Sequence, residues 1–233
     1  MKTIYEQQPR RKRRNGHRKL AFTLAVVFLA LGAVFIALEK AGATNVLERA
    51  GLTTPRAEIG EVIDSFNGVT VHYNGAISNV SGRSVAPDGY NIGQKYQCVE
   101  FVKRYYYEAL DHKMPSPWGH AKDFFNNAVP DGEFNAERGL VQFRNGGKSA
   151  PQVSDLIVFG GHKFGHVAIV SETGEDYVEI IQQNPGPLEP SRERLTLVAK
   201  KKTPVSVTGE AGAAETCWQV GGKRTPLGWL RKQ

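Results

Sequence analysis

Cys98 and His166 are the two side chains of this 233-residue chain whose type and setting best support covalent chemistry. Cys98 lies in Tyr96-Gln97-Cys98-Val99-Glu100-Phe101-Val102-Lys103-Arg104. Apolar residues recur there at Phe101, Val102, Tyr105, Tyr106, Ala109 and Leu110, the spacing of one helical face, which predicts a helix with Cys98 in its first turn. Unpaired N–H groups and the helix dipole at that end favour thiolate, the nucleophilic form of cysteine. A lone cysteine is equally a small core residue, so the chemistry requires a base.

His166 opens Gly165-His166-Val167-Ala168-Ile169-Val170, after the glycine-rich run Gly160 to Gly165. The next strand is expected at Tyr177 to Gln183. A hairpin symmetric about Gly174 sets His166 opposite Gln182. Period-two alternation then places His166 on one face with Gln182 and Asn184, and turns Glu179 away. A β-bulge would reverse that choice. A thiol, an imidazole and an amide oxygen that orients the imidazole form a cysteine-nucleophile constellation for acyl transfer. The expected catalytic residues are thus Cys98, His166, Gln182 and Asn184, with the Cys98 backbone N–H as an oxyanion donor. The amide is expected to accept the imidazole Nδ1 proton. Gln97, Tyr105, Trp118 and Trp218 are candidates for groove walls. His162 and His166 stand four apart without a third ligand, and neither metal nor other cofactor is expected.

The elements that must position these groups follow from the same patterns. A strand is expected at Val69 to Tyr73 and a loop from Ala76 to Gly93. The Cys98 helix comes next, then a second short helix from His120 to Asn127, and a loop around one strand, Val141 to Phe143. After Pro151 come short strands at Leu156–Phe159, Val167–Val170, Tyr177–Ile181, Leu195–Val198, Cys217–Val220 and Leu227–Leu230. Helices first and a meander of strands later predict an α+β fold with an antiparallel sheet.

The net charge of +7 is carried by residues 1–19, which hold eight basic residues and one acid. The remainder is neutral overall, so the domain is not a nucleic-acid binder by charge. Leu20 to Leu38 is a run of nineteen residues without charge or proline, about the length that crosses a bilayer core. With the basic tail in front, the positive-inside rule predicts a single-pass anchor, N-terminus in the cytoplasm and domain outside. A signal peptide cleaved near Ala41-Gly42-Ala43 would give the same side. The expected organisation is a cytoplasmic tail (1–19), an anchor (20–38), a linker (39–59) and a domain (60–233). Cys98 and Cys217 could pair in an oxidising compartment, which would silence the nucleophile.

The Cys98 segment, Ser154-Asp155-Leu156-Ile157-Val158-Phe159, the His166 strand, Gln182-Gln183-Asn184 and Leu227-Gly228-Trp229-Leu230-Arg231 together resemble the CHAP family, cysteine- and histidine-dependent amidohydrolases/peptidases of the papain-like NlpC/P60 superfamily. The Cys98 segment and Asn67-Gly68-Val69-Thr70-Val71 are similar to the amidase domain of bifunctional glutathionylspermidine and trypanothione enzymes. The resemblance implies a papain-like fold of N-terminal helices on an antiparallel sheet, Cys98 as nucleophile and His166 as base. Gln182 stands where many relatives carry glutamate. Combined with the expected topology, it implies an amidase or endopeptidase of the bacterial inner membrane acting on peptidoglycan. Two alternatives are an amidase of glutathione–polyamine conjugates and, in view of Gln182, a tethered wall-binding module without catalysis.

Overall fold

Two features of the sequence build the framework: the continuous apolar runs after Pro151 and the amphipathic helix that begins at Cys98. In a computed structural model, which describes residues 57–186, 189–202 and 214–233, the runs become strands of one eight-stranded antiparallel sheet. The strands are β5 (Glu133–Asn135), β6 (Leu140–Arg144), β7 (Leu156–Gly160), β8 (His166–Thr173), β9 (Tyr177–Ile181), β10 (Arg192–Lys202), β11 (Glu215–Gly221) and β12 (Thr225–Arg231). Their order in the sheet is β11-β10-β9-β8-β7-β12-β6-β5. The sheet curls. Trp218 on the edge strand β11 exchanges backbone hydrogen bonds with Gly146 (2.7 Å) and Gly147 (2.8 Å), just beyond β6.

Curling gives the sheet two buried faces, which explains why β7 and the first half of β8 read as unbroken apolar runs instead of alternating ones. Inside the curl, Ile157, Phe159, Ala168, Val170, Val178, Ile180 and Trp229 pack together. On the opposite face, Leu156, Val158, Val167, Ile169, Ile181 and Leu230 meet the helix α1 (Cys98–Leu110) through Phe101, Val102, Tyr105 and Tyr106. Each large side chain buried there contributes about 1.5–3 kcal/mol. The helix ends at Asp111, in left-handed conformation (φ 45°), whose N–H returns to the Tyr106 carbonyl.

Two small hairpins precede and support the helix. β1 (Val62–Phe66) and β2 (Val69–His72) turn at Asn67-Gly68, both with positive φ (49° and 82°), as a tight hairpin turn requires. β3 (Arg83–Val85) pairs with β4 (Asn91–Gln94) inside the stretch expected to be loop. Their sequences, Arg-Ser-Val and Asn-Ile-Gly-Gln, carry no alternation. β5 was likewise unannounced.

Among the described residues, the expectation of several N-terminal helices is corrected to one α-helix. The segment at His120 forms only a 3-10 turn, Ala121–Phe124, because Phe125 is already extended (φ −99°, ψ 121°) and residues 126–130 run on as turns towards Pro130. The predicted span at 20–38, the tail and most of the linker lie outside the described residues. Among the described residues no helix is long and apolar enough to cross a membrane.

Candidate active site

α1 begins at Cys98 because the extended Gln97 (φ −82°, ψ 161°) precedes it and accepts the first helical hydrogen bond, from Phe101 N–H at 3.2 Å. No side chain caps this end. Instead the first turn is tied down from outside. Glu100, almost wholly buried, sits where the helix dipole favours an anion. It pairs with Arg104 one turn on (2.8 Å) and accepts from Ser84 Oγ (3.0 Å) and Gln183 Nε2 (2.8 Å). Gln183 also donates to the Gln97 carbonyl (3.1 Å) and accepts from the His72 N–H (2.7 Å). One fully buried amide thus joins β2, the end of β9 and the helix start.

Asn184 holds the same place from the other side. Its Nδ2 donates to Gln97 Oε1 (2.8 Å) and to the Ile77 carbonyl (3.0 Å). Gln97 Nε2 in turn donates to the Ile77 (3.1 Å) and Asn79 (2.7 Å) carbonyls. The expected orienting role of Asn184 towards His166 is therefore corrected: its Nδ2 holds Gln97 and Ile77, the ring of His166 is bonded to Gln182 instead, and its left-handed backbone (φ 53°) turns the chain out of β9. Gln97 borders the thiol as a locked wall and not as a free side chain.

His166 opens β8 and is nearly buried, 6% exposed. One of its ring nitrogens, Nε2, meets Gln182 Oε1 at 2.9 Å. The Gln182 amide is oriented by its own Nε2, which donates to the Pro190 carbonyl (3.2 Å). An oxygen is therefore presented to the ring, Nε2 carries the proton, and Nδ1 keeps the lone pair of a base. The expected bond to Nδ1 is corrected to Nε2.

The face assignment holds for an unexpected reason. The hairpin turns at Glu175-Asp176, with Gly174 N–H bonded to the Tyr177 carbonyl, so β8 and β9 leave the turn with Glu172 opposite Glu179. That register would put Glu179 and Gln183 on the His166 face. A bulge at Ser171 then shifts the ladder to Val170 opposite Ile180, which restores Gln182 to that face. Glu179 points away, bound to Arg192 (3.1 Å) and Arg194 (3.3 Å).

Cys98 packs against the core cluster that contains Val167, the residue after His166, and the backbone N–H groups of Val167, Val99 and Cys98 favour its thiolate. The helix that Cys98 opens thus packs on the strand that His166 opens. Burial pushes the Cys98 thiol up, against those donors and the nearby Arg224 cation. Burial also pulls the His166 imidazole down to about 3, helped by Arg224 and His162 and opposed by the Gln182 hydrogen bond. The resting pair is thiol and neutral imidazole, so the helix start does not by itself generate a thiolate. Desolvation outweighs the dipole.

Arg224, in the turn between β11 and β12, was not foreseen. Its guanidinium donates to the Pro185 carbonyl (2.9 Å) and pairs with Glu189 and Glu193. Nothing in a lone arginine some 120 residues after Cys98 announces such a place. Gln183 could have been found: alternation puts it with Ile181, on the side facing α1.

The groove candidates separate. Tyr105 is wholly buried, stacked on Phe66 (5.6 Å), with its hydroxyl bonded to Ser154 Oγ (2.7 Å) and Asn67 Nδ2 (2.9 Å). It is core, because it follows Cys98 by seven residues on the stripe that packs on the sheet. Trp118 is 64% exposed with the Arg83 guanidinium 5.4 Å above its ring. Trp218 packs on the inner core from β11. Cys98 and Cys217 are both free thiols.

With this geometry in place, comparison with known proteins gives the following. Residues 88–184 match the CHAP domain family. The chain is similar to trypanothione synthetase of Crithidia fasciculata, 33% identical over 107 residues, 45% of this chain and 16% of that protein. It is also similar to glutathionylspermidine synthase of the same organism, 36% identical over 107 residues, 41% of this chain and 14% of that protein. The chain therefore spans only about a sixth of the length of these curated relatives. The stretch that matches the CHAP domain family runs from before Cys98 to Asn184 and includes His166 and Gln182.

Proposed function

We propose that the protein is a cysteine amidase or endopeptidase that hydrolyses amide bonds in peptidoglycan peptides, held by residues 20–38 in the bacterial inner membrane with its domain outside the cytoplasm. The carrying observation is the hydrogen bond from His166 Nε2–H to Gln182 Oε1, which leaves Nδ1 with a free lone pair at the start of the strand on which the Cys98 helix packs. In this reading Nδ1 takes the Cys98 proton, the sulfur adds to the amide carbon, and His166 returns the proton to the leaving amine. The N–H of Cys98 stabilises the oxyanion. Water activated by His166 then cleaves the thioester. The apolar run and basic tail support the location, and peptidoglycan is the amide polymer found there.

The CHAP match supports amide hydrolysis as the class of chemistry. The names of the two relatives favour a second substrate for the same site, an amide of glutathione and a polyamine. Mass spectrometry of fragments released from purified sacculi by the full-length protein separates the readings. New amide-cleaved muropeptides, absent with Cys98→Ala, support the first. Intact sacculi together with cleavage of glutathionylspermidine would replace it by the second.

A further inference from the structure

The loop that leads into His166 is welded to the 3-10 turn. Gly165 has φ +71°, and a Cβ on it would fall 2.6 Å from the Phe159 carbonyl oxygen and 2.7 Å from Lys122 N. Lys122 N–H donates to the Phe164 carbonyl (3.0 Å), and the His120 and Phe164 rings meet at 4.7 Å. Lys163 Nζ lies 5.1 Å from the centre of the Phe164 ring. Phe164 remains 51% exposed although it is two residues from the nearly buried His166. His120, Lys122, His162 and Lys163 are exposed as well.

This bank carries unbalanced positive charge. Its acid, Asp123, is taken up by the His120 N–H (2.8 Å) at the start of the turn. Among the described residues neither Lys122 nor Lys163 forms an ion pair. On the far side of the base, by contrast, Arg224 is matched by Glu189 and Glu193. Residues 162–165 lead directly into His166, so this loop adjoins the candidate base.

We propose that the Lys122, Lys163 and Phe164 bank is a substrate subsite that selects amides whose flanking residues carry free carboxylates, the two ammonium groups meeting the anion and the ring covering its aliphatic stem. The subsite rests on the amidase reading, and it makes the site prefer acidic peptides over cationic polyamine amides. Lysine–carboxylate pairs at an exposed rim are modest and screened by salt, so about a tenfold preference at low ionic strength is expected.

Calorimetry on full-length Cys98→Ala, which cannot turn over, tests this with L-Ala-γ-D-Glu-L-Lys-D-Ala and with the same peptide amidated at its carboxyls. The acidic peptide should bind about tenfold tighter, and the gap should shrink with added salt. It should vanish in Cys98→Ala/Lys122→Gln/Lys163→Gln and persist when the distant Lys201→Gln is combined with Cys98→Ala. Equal binding of the two peptides, no binding of either, or a gap that survives loss of both lysines overturns the subsite. Failure of the wild-type protein to cleave any amide would overturn the amidase reading while leaving this binding result as measured.

Discussion

His166 donates its Nε2 proton to Gln182 Oε1 across 2.9 Å, and it reaches that partner because a bulge at Ser171 corrects the register set by the turn. The contact fixes the ring tautomer without adding charge. An amide partner thus gives a base with a free lone pair and a low affinity for protons, whereas a carboxylate would favour imidazolium.

Gln182→Ala should lower turnover about ten- to hundredfold, since a buried donor left without partner costs about 1–3 kcal/mol. Gln182→Glu should favour imidazolium and thiolate, and accelerate alkylation of Cys98 by iodoacetamide at pH 7. Steady-state kinetics and alkylation rates check both.

Because burial pushes the Cys98 thiol above its ordinary value, the alkylation rate of the wild-type protein should still climb through pH 9 and show no plateau near neutrality. On the acid side the sign is set by His166. Its folded pKa, about 3, lies below the ordinary 6.5, so only the unfolded chain takes up its proton between those values. Stability is therefore present above about pH 6.5 and is lost as the pH falls towards 3. Thermal melts should record that loss, and His166→Asn should flatten it.

Gln183→Leu should separate the helix start from β2 and leave Glu100 with one donor fewer. A destabilisation of about 1–3 kcal/mol lowers Tm by several degrees in a chain of this size. Differential scanning calorimetry reads it, and kcat should fall as Cys98 loses its fixed position.

Glu179→Gln should leave turnover unchanged, because the carboxylate is held by Arg192 and Arg194 on the face of β9 away from His166. Surface pairs of this kind contribute about 1 kcal/mol or less. Cys217→Ala should be equally neutral for turnover. A Cys98–Cys217 disulfide, sought by mass spectrometry without reductant, should be absent.

The parts of the site that alternation and helical spacing control were legible in the sequence. Cys98 opens a helix, His166 opens a strand, Gln182 shares its face, and Glu179 does not. The route to that face was misread, since a turn at Gly174 was expected and a bulge restores what the true turn undoes. Tyr105 was misassigned because the stripe that carries Cys98 is the stripe that packs on the sheet. The β3–β4 hairpin has no alternation to reveal it, and its Ser84 contact with Glu100 is tertiary. Arg224 acts through space from a turn with no local pattern. The side chains that tune charge and hold the helix start are thus the ones that periodicity does not report.

The central claim is that Cys98 attacks the amide carbon. Full-length protein incubated with muropeptides and quenched in acid during turnover should carry an acyl mass on the peptide containing Cys98, missing in Cys98→Ala together with all hydrolysis. Hydrolysis that continues in Cys98→Ala, or wild-type turnover quenched at many time points with no adduct on that peptide, would contradict it.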